Sequence, residues 1–292
     1  MPKNIVFCQV YTGVKAYVDN LLYFLYISDL PNPNTELVVV EVGEPLGSIK
    51  LLFPEVIFVS AANKNLDFGA YSQVIEAIDT SGYSMFMFIN CTVRGPFMGL
   101  DSTKNWFDVF TSELGGSVQL VGPTINMLPL DSEFGLAAEK KFGAKDFYPH
   151  VQSMAFALGR EGMDLLLEKG FWSLGKRKSK VDVIVDYEIG LSQILLEHGY
   201  AIKSLLPKPG EIRSDSTLHP LANSRSGDVN FRGAYEGRTL SPYELIFVKT
   251  NRNMISRRKL RKISRDEIRS KQPGKSGHNQ LMEDLLSNRK VI

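Results

Sequence analysis

The sequence predicts an α/β protein, a layered β-sheet flanked by helices. Three observations carry that expectation. Strand-like apolar runs alternate with helical patterns through the first half of the chain, the order that a sheet with right-handed crossovers requires. The run 85–90 (MFMFIN) is apolar up to its last residue, as a parallel strand covered on both faces should be. Of the 292 residues, 43% are hydrophobic and 23% charged, which allows a sizeable core and excludes global disorder.

Residues 5–10 read as the first short strand. Residues 15–28 place Tyr17, Val18, Leu21, Leu22 and Leu25 at helical spacing on one face. A turn rich in Pro and Asn follows at 29–34, and then 37–42 (LVVVEV) and 56–60 read as the second and third strands. Residues 68–79 read as a helix, 85–90 as the fourth strand, 106–113 as a short helix and 118–121 as a strand ending at Gly122-Pro123. The second half is less regular. There 151–158 reads as one strand, 160–169 as a helix stopped by Gly170, and 176–180 as a basic loop. A helix over 185–198 closes at Gly199, and a strand over 201–206 ends at Pro207 and Pro209. Residues 207–236, rich in Gly, Pro, Ser and Asn, read as a long loop of the kind that is usually functional or mobile. The last apolar run is 243–250. Basic residues then cluster from Arg252 to Arg265 with no acid before Asp266, which places a boundary near 253. The expected organisation is a main domain over 1–252 and a basic extension over 253–292.

Composition narrows the chemistry. Lys plus Arg number 34 against 32 Asp plus Glu, a net charge of +2, so any basic surface is local. Two cysteines make no disulfide scaffold and no four-cysteine zinc site, and four scattered histidines argue against a His-rich metal centre. No Gly-x-Ser-x-Gly elbow, Walker loop or Gly-x-Gly-x-x-Gly fingerprint is present. The N-terminus shows no signal-peptide pattern, and no apolar run approaches the ~18 residues of a membrane span, so a cytoplasmic location is expected.

Polar residues gather where buried strands end, which in open α/β sheets is where ligands bind. Asn63, Lys64 and Asp67 follow the third strand; they suit a base, a ribose or a sugar, and equally a turn with Asp67 as helix cap. Asn90, Thr92 and Arg94 follow the fourth; Arg94 suits a phosphate, or a structural pair with an acid. Asp186 and Glu188 open a helix, where the helix dipole stabilises them and where one could take a proton from a hydroxyl. His150, Gln152 and Ser153 read as a polar pocket wall.

These segments stand in a familiar order: NKNLDFGAY, FINCTVRGPF, QLVGPTIN, PHVQSMAFALGREG, DYEIGLSQILLEHGY and PYELIFVKTNR. In this order, over about residues 4–252, the chain resembles GT-A type glycosyltransferases related to rhamnan-synthesis protein F, which build O-antigen and other surface polysaccharides. The resemblance implies a GT-A-like, Rossmann-like mixed sheet. It implies a nucleotide-sugar donor held by Asn63, Lys64, Asp67, Asn90, Thr92, Arg94, Lys249 and Arg252. It implies acceptor contacts from His150, Gln152 and Ser153, and a base at Glu188 or, second, Asp186. Members of the fold carry an Asp-x-Asp motif for a divalent metal where this chain reads Asn90-Cys91-Thr92. Neutral Asn and Thr hold hard cations poorly, so the metal requirement stays open, and Arg94, Lys249 and Arg252 are the cations available to replace it.

The expected partners are therefore a nucleotide-sugar donor, a lipid-linked glycan acceptor and the inner face of the cytoplasmic membrane. The basic tail would meet anionic headgroups, with Ile255, Leu260 and Ile263 dipping into the interface, or remain a solvated extension. It lacks aromatics for base stacking, so no nucleic-acid partner is expected. Two rival readings are a sugar-phosphate nucleotidyltransferase and a non-catalytic sugar- or nucleotide-binding subunit of an assembly complex.

Overall fold

The first strand, β1 (Lys3–Tyr11), is buried on both faces and divides the core in two. Ile5 and Phe7 face one apolar layer, and Val6, Cys8 and Val10 face the other. The structure is a computed structural model that describes residues 2–99, 102–173, 175–219, 222–224 and 226–271. After β1 come α1 (Lys15–Ile27), β2 (Thr35–Val42), α2 (Gly47–Leu52), β3 (Ile57–Ala61), α3 (Leu66–Ile75), β4 (Tyr83–Ile89) and the short β5 (Val93–Arg94). The middle of the chain forms α4 (Trp106–Thr111), β6 (Val118–Gly122), β7 (Ile125–Met127), α5 (Glu133–Phe142), β8 (Pro149–Val151), β9 (Ala155–Gly159) and α6 (Arg160–Glu168). A long helix opens as α7 (Lys180–Val183), widens to π geometry over Ile184–Ile189 and continues as α8 (Gly190–Glu197). The remaining elements are β10 (Ala201–Ser204), β11 (Glu211–Ile212), α9 (Pro242–Leu245), β12 (Val248–Lys249) and α10 (Arg257–Lys271).

The main sheet has 8 strands in the order β11-β10-β6-β9-β4-β1-β2-β3. β9 runs antiparallel to both its neighbours, and β11 is antiparallel to β10 at the edge; the other strands share one direction. The mixed sheet flanked by helices is the fold class expected from the sequence. The antiparallel β9 decides where chemistry can occur. Its entry, Gln152–Met154, lies at the rim where the parallel strands end, so residues before one strand meet residues after another.

Several elements differ from expectation. The run 151–158 is two strands: β8 pairs with β7, the chain turns at Gln152–Met154, and β9 joins the main sheet. The helix expected from 185 begins five residues earlier, because Ser179 and Asp182 form a reciprocal capping box. Helix α5 was not anticipated. Asn65 rather than Asp67 holds the N-cap position of α3, without a capping bond from its side chain, and sits in the left-handed region at φ 55. There Asn65 accepts from Lys178 N at 2.8 Å and donates to the Lys176 carbonyl at 3.3 Å, tying two loops together. Gly69 makes this possible, since a Cβ there would stand 1.7 Å from the Lys64 carbonyl oxygen.

The predicted tail is partly built into the body. Helix α10 packs on α1 and buries Leu260 and Ile268, and Ile255 and Ile263 rest against the same core. Glu267 accepts from the Gly99 N–H at 2.9 Å. Leu260 is thus buried and Ile255 and Ile263 are half-buried against the same core, which leaves these residues less apolar surface for a lipid interface than the sequence led us to expect. Residues 272–292 lie outside the described residues. No described helix is long and apolar enough to cross a membrane.

One cluster fixes the cleft described next. Phe68 of α3 stacks on Tyr187 of the π segment at 5.5 Å and on Phe156 of β9 at 6.1 Å. Phe88 of β4 stacks on Phe156 at 4.7 Å and on Trp172 at 5.2 Å. Such pairs add roughly 0.5–1.5 kcal/mol each beyond area burial. Asp67 and Glu188, each next in sequence to a stacked ring, are thereby held on one rigid platform.

Candidate active site

The carboxyl ends of β1, β2, β3 and β4 and the entry to β9 surround a cleft of about 670 Å³. One wall is acidic and hydrogen-bonded. Asn90, at the end of β4, donates through Nδ2 to Asp67 Oδ2 at 3.0 Å and to the Ser153 carbonyl at 3.2 Å. Its Oδ1 accepts from the Thr92 N–H at 3.0 Å and the Thr92 hydroxyl at 2.7 Å. Ser153 donates its hydroxyl to Glu188 Oε2 at 2.6 Å. His150 is buried, and its Nδ1 lies 3.0 Å from the Tyr148 carbonyl. A carbonyl only accepts, so Nδ1 carries the proton and Nε2 presents a lone pair, 3.8 Å from Glu188 Oε1. Burial lowers the His150 pKa, against the opposing pull of the Glu188 charge, and so favours this neutral ring.

Two cations line the same cleft. The β5–β12 pairing sets Lys249 opposite Val93, and Thr250 N donates to the Thr92 carbonyl at 2.8 Å. Lys249 and Arg252 thus reach the same cleft as β4. Arg252 Nε lies 3.4 Å from Asp228 Oδ2, with its guanidinium over the Phe231 ring at 5.2 Å. Burial pushes the Asp228 pKa up, but Lys249, the Asn230 donors and Arg252 outweigh it and hold the carboxylate below its usual range. Asn230 also donates to Gln152 Oε1 at 2.5 Å, so the predicted acceptor residue Gln152 is fixed from behind. Asn63 and the exposed Lys180 complete the rim.

Three predicted residues do not face the cleft. Arg94 is buried, donating through Nε to Asn20 Oδ1 at 3.0 Å and lying 5.8 Å from the Tyr23 ring centre. Asn20 in turn donates to the Cys91 carbonyl at 3.0 Å and to Thr250 Oγ1 at 3.2 Å, so Arg94 orients the strand ends without touching a ligand. Asp186 pairs with Lys141 and, at 2.7 Å, with Lys178. Burial opposes its ionisation, yet the two lysines dominate and lower its pKa, leaving a neutralised carboxylate turned away from the cleft. Lys64 lies outside the cleft lining, its carbonyl against Gly69. Asp228, Asn230 and Lys180 were missed by sequence reasoning. The long polar loop 207–236 was the available signal for the first two, and the basic loop for the third. Cys91 borders the cleft, but burial pushes its thiol up to about 12, which excludes a thiolate nucleophile near neutral pH.

The residues at the Asp-x-Asp position do not fit a divalent cation. Asn90 and Thr92 are neutral and their oxygens are bonded to each other, and among the described residues no group of three or more His, Cys, Asp or Glu could hold a metal.

No protein-family model matches the sequence, and no curated protein is similar to it. Several solved structures are similar in shape. Mannosyltransferase PcManGT from Pyrobaculum calidifontis, in complex with GDP-Man and Mn2+, is 15% identical over 70% of this chain and 54% of its own, with a TM-score of 0.44. Glucosyl-3-phosphoglycerate synthase from Mycobacterium tuberculosis, in complex with Mn2+, UDP and phosphoglyceric acid, is 15% identical over 56% and 58%, with a TM-score of 0.34. Galactosyltransferase LgtC, in complex with donor and acceptor sugar analogues, is 12% identical over 63% and 69%, with a TM-score of 0.35. The chain thus spans about half the length of the mannosyltransferase structure. Likeness at this level assigns no role to any residue here.

Asp67 offers a direct check on the acidic wall. Burial raises its pKa most, the Glu188 charge adds to this, and the Asn90 bond opposes it. The folded protein therefore holds this proton to higher pH than the unfolded chain does. The contribution to stability is full below the ordinary carboxylate range and is lost as pH rises through the raised value. Asp67→Asn should raise the thermal midpoint over the parent protein more at about pH 8 than at about pH 4. Equal differences at both pH values would contradict a buried carboxyl beside Glu188.

Proposed function

We propose that the chain is a glycosyltransferase that moves a hexose from a nucleotide-sugar donor to a hydroxyl of a lipid-linked surface-polysaccharide intermediate. The observation that supports this best is the presence, within one cleft, of the hydrogen-bonded carboxylate Glu188 and the cations Lys249 and Arg252. The donor diphosphate lies against Lys249 and Arg252, and Asn63 meets the nucleotide or sugar. As the bond from the anomeric carbon to the diphosphate breaks, its electron pair leaves on the diphosphate. Cations already fixed at that point stabilise the growing charge without reorganising. The acceptor oxygen forms the new bond and its proton passes to Glu188, which Ser153 holds by its second oxygen. The lone pairs of Glu188 Oε1 and His150 Nε2 converge from one side, so an incoming hydroxyl meets acceptors there. Burial and the Glu188 charge raise the Asp67 pKa, so Asp67 takes up a proton more readily than a free carboxyl does. Arg94 drops out as a phosphate ligand and Asp186 as a base.

Calorimetric titration of nucleotide sugars, paired with a transfer and donor-hydrolysis assay, tests this. Glu188→Gln should lower turnover by about two to four orders of magnitude while donor affinity stays within about threefold. Lys249→Ala should weaken donor binding by about tenfold or more, and chelator should leave turnover within about twofold. Near-parental turnover in Glu188→Gln overturns the base assignment. Activity abolished by chelator and restored by Mn²⁺ overturns the cation assignment. Donor binding without transfer or hydrolysis would favour the binding-subunit reading.

Membrane docking is part of the same proposal and rests chiefly on charge. Arg258, Lys262 and Arg265 are exposed and fall at i, i+4 and i+7 on α10, a continuous basic stripe. The protein should sediment with phosphatidylserine-containing vesicles at low salt, not with pure phosphatidylcholine, and lose the association at high salt. Reversing the three charges to Glu should abolish sedimentation with donor affinity unchanged. Salt-resistant sedimentation, or sedimentation of the reversed variant, contradicts an electrostatic dock.

A further inference from the structure

A second cleft, of about 980 Å³, opens beside the first, and the two share Asn251 and Arg252. It is lined by Arg232, Arg252, Arg257 and Lys259, and by no Asp or Glu. Of these four only Arg252 has an acidic partner among the described residues, Asp228 at 3.4 Å. The nearest acid on α9, Glu244, is occupied: it pairs with Arg238 at 2.8 Å and caps Ser241. The floor is apolar, formed by the buried Leu240, Met254 and Leu260, and Tyr243 stands 44% exposed at the edge.

Unpaired cations around a concave surface repel one another and raise the local potential, a cost that an anion relieves. Their number suits a group with more than one negative charge. The apolar floor and the tyrosine ring suit a ligand with carbon skeleton beside that charge. We infer that this second cleft binds a phosphate or diphosphate ester, the anionic group of the acceptor whose hydroxyl is glycosylated in the first cleft. The identity of that ester as acceptor rests on the transferase reading; the binding of phosphate does not. Arg252, which lines both clefts, then touches donor and acceptor phosphates alike.

The test titrates the full chain with inorganic diphosphate and with farnesyl diphosphate. The parent protein is compared with the triple variant Arg232→Ala/Arg257→Ala/Lys259→Ala and with Lys249→Ala. The triple variant should bind both probes about tenfold or more weakly, while its affinity for a nucleotide sugar stays within about threefold. Substituting lysine at both arginines, with Lys259 retained, should restore most of the loss, because charge rather than fork geometry carries the attraction. Tighter binding of farnesyl diphosphate than of inorganic diphosphate identifies a lipid-linked ester; equal binding identifies a soluble phosphate ester. Both support the site. Affinity for both probes unchanged in the triple variant, or lost only in Lys249→Ala, overturns it. Failure of the transferase reading shows separately, as absence of nucleotide-sugar binding in the parent protein.

Discussion

The stack of Phe68 on Tyr187 and Phe156 is the constraint on which the rest depends. It joins three elements distant in sequence: α3, the π segment and β9. Each ring stands next to, or three residues from, a polar residue of the cleft, namely Asp67, Glu188 and Ser153. Aromatic rings packed this closely leave few rotamers open, so the polar groups above them inherit fixed positions. A carboxylate held this way is oriented before any ligand arrives, and such preorganisation is what makes electrostatic and proton-transfer groups effective. The widened helical turn at Ile184–Ile189 serves the same end. It buries Val185, Tyr187 and Ile189 and presents Glu188 to the cleft, while Asp186 turns out to two lysines.

The placement of the two cations depends on a different device. Two-residue strands β5 and β12 pair at the end of β4, and Asn20 clamps the joined loops through Cys91 and Thr250. Arg94 completes that clamp from inside the protein. Lys249 and Arg252 are thereby brought into the cleft beside the end of β4. Buried Asp228 keeps Arg252 in position. The acidic wall and the cations meet because β9 enters the sheet from the rim at which its neighbours finish.

Much of this was legible in the sequence. The strands 37–42 and 85–90 are dense in β-branched or large apolar residues, and these nearly unbroken apolar runs place them. The clustering of Asn63, Asp67, Asn90 and Thr92 follows from the rule that loops after parallel strands share one rim. What the sequence hid depends on long-range pairing. The run 151–158 reads as one strand, yet the chain turns at Gln152–Met154, where Gln152 and Ser153 face the cleft and Met154 packs into the core. Arg94 looks like a free phosphate ligand, and nothing local reveals Asn20, seventy-four residues away. Asp186 and Glu188 are both acids two residues apart, on opposite faces of the helix, and only the packing of that helix shows which face meets the cleft. Asp228 lies in a long irregular loop, where no period exists to read. Leu260 and Ile268 share the strongly basic stretch that reads as a solvated tail, and only the docking of α10 on α1 shows which of its faces is covered.

The central claim is that one cleft sets a departing diphosphate against Lys249 and Arg252 while Glu188 receives the acceptor proton. A crystal structure of the protein soaked with a nucleotide sugar tests it most directly. The account predicts diphosphate oxygens within hydrogen-bond distance of Lys249 Nζ and the Arg252 guanidinium, with the anomeric carbon turned toward Glu188 and Ser153. A diphosphate bound away from both cations, or a sugar lying with Glu188 on the far side of the protein from its anomeric carbon, would contradict it.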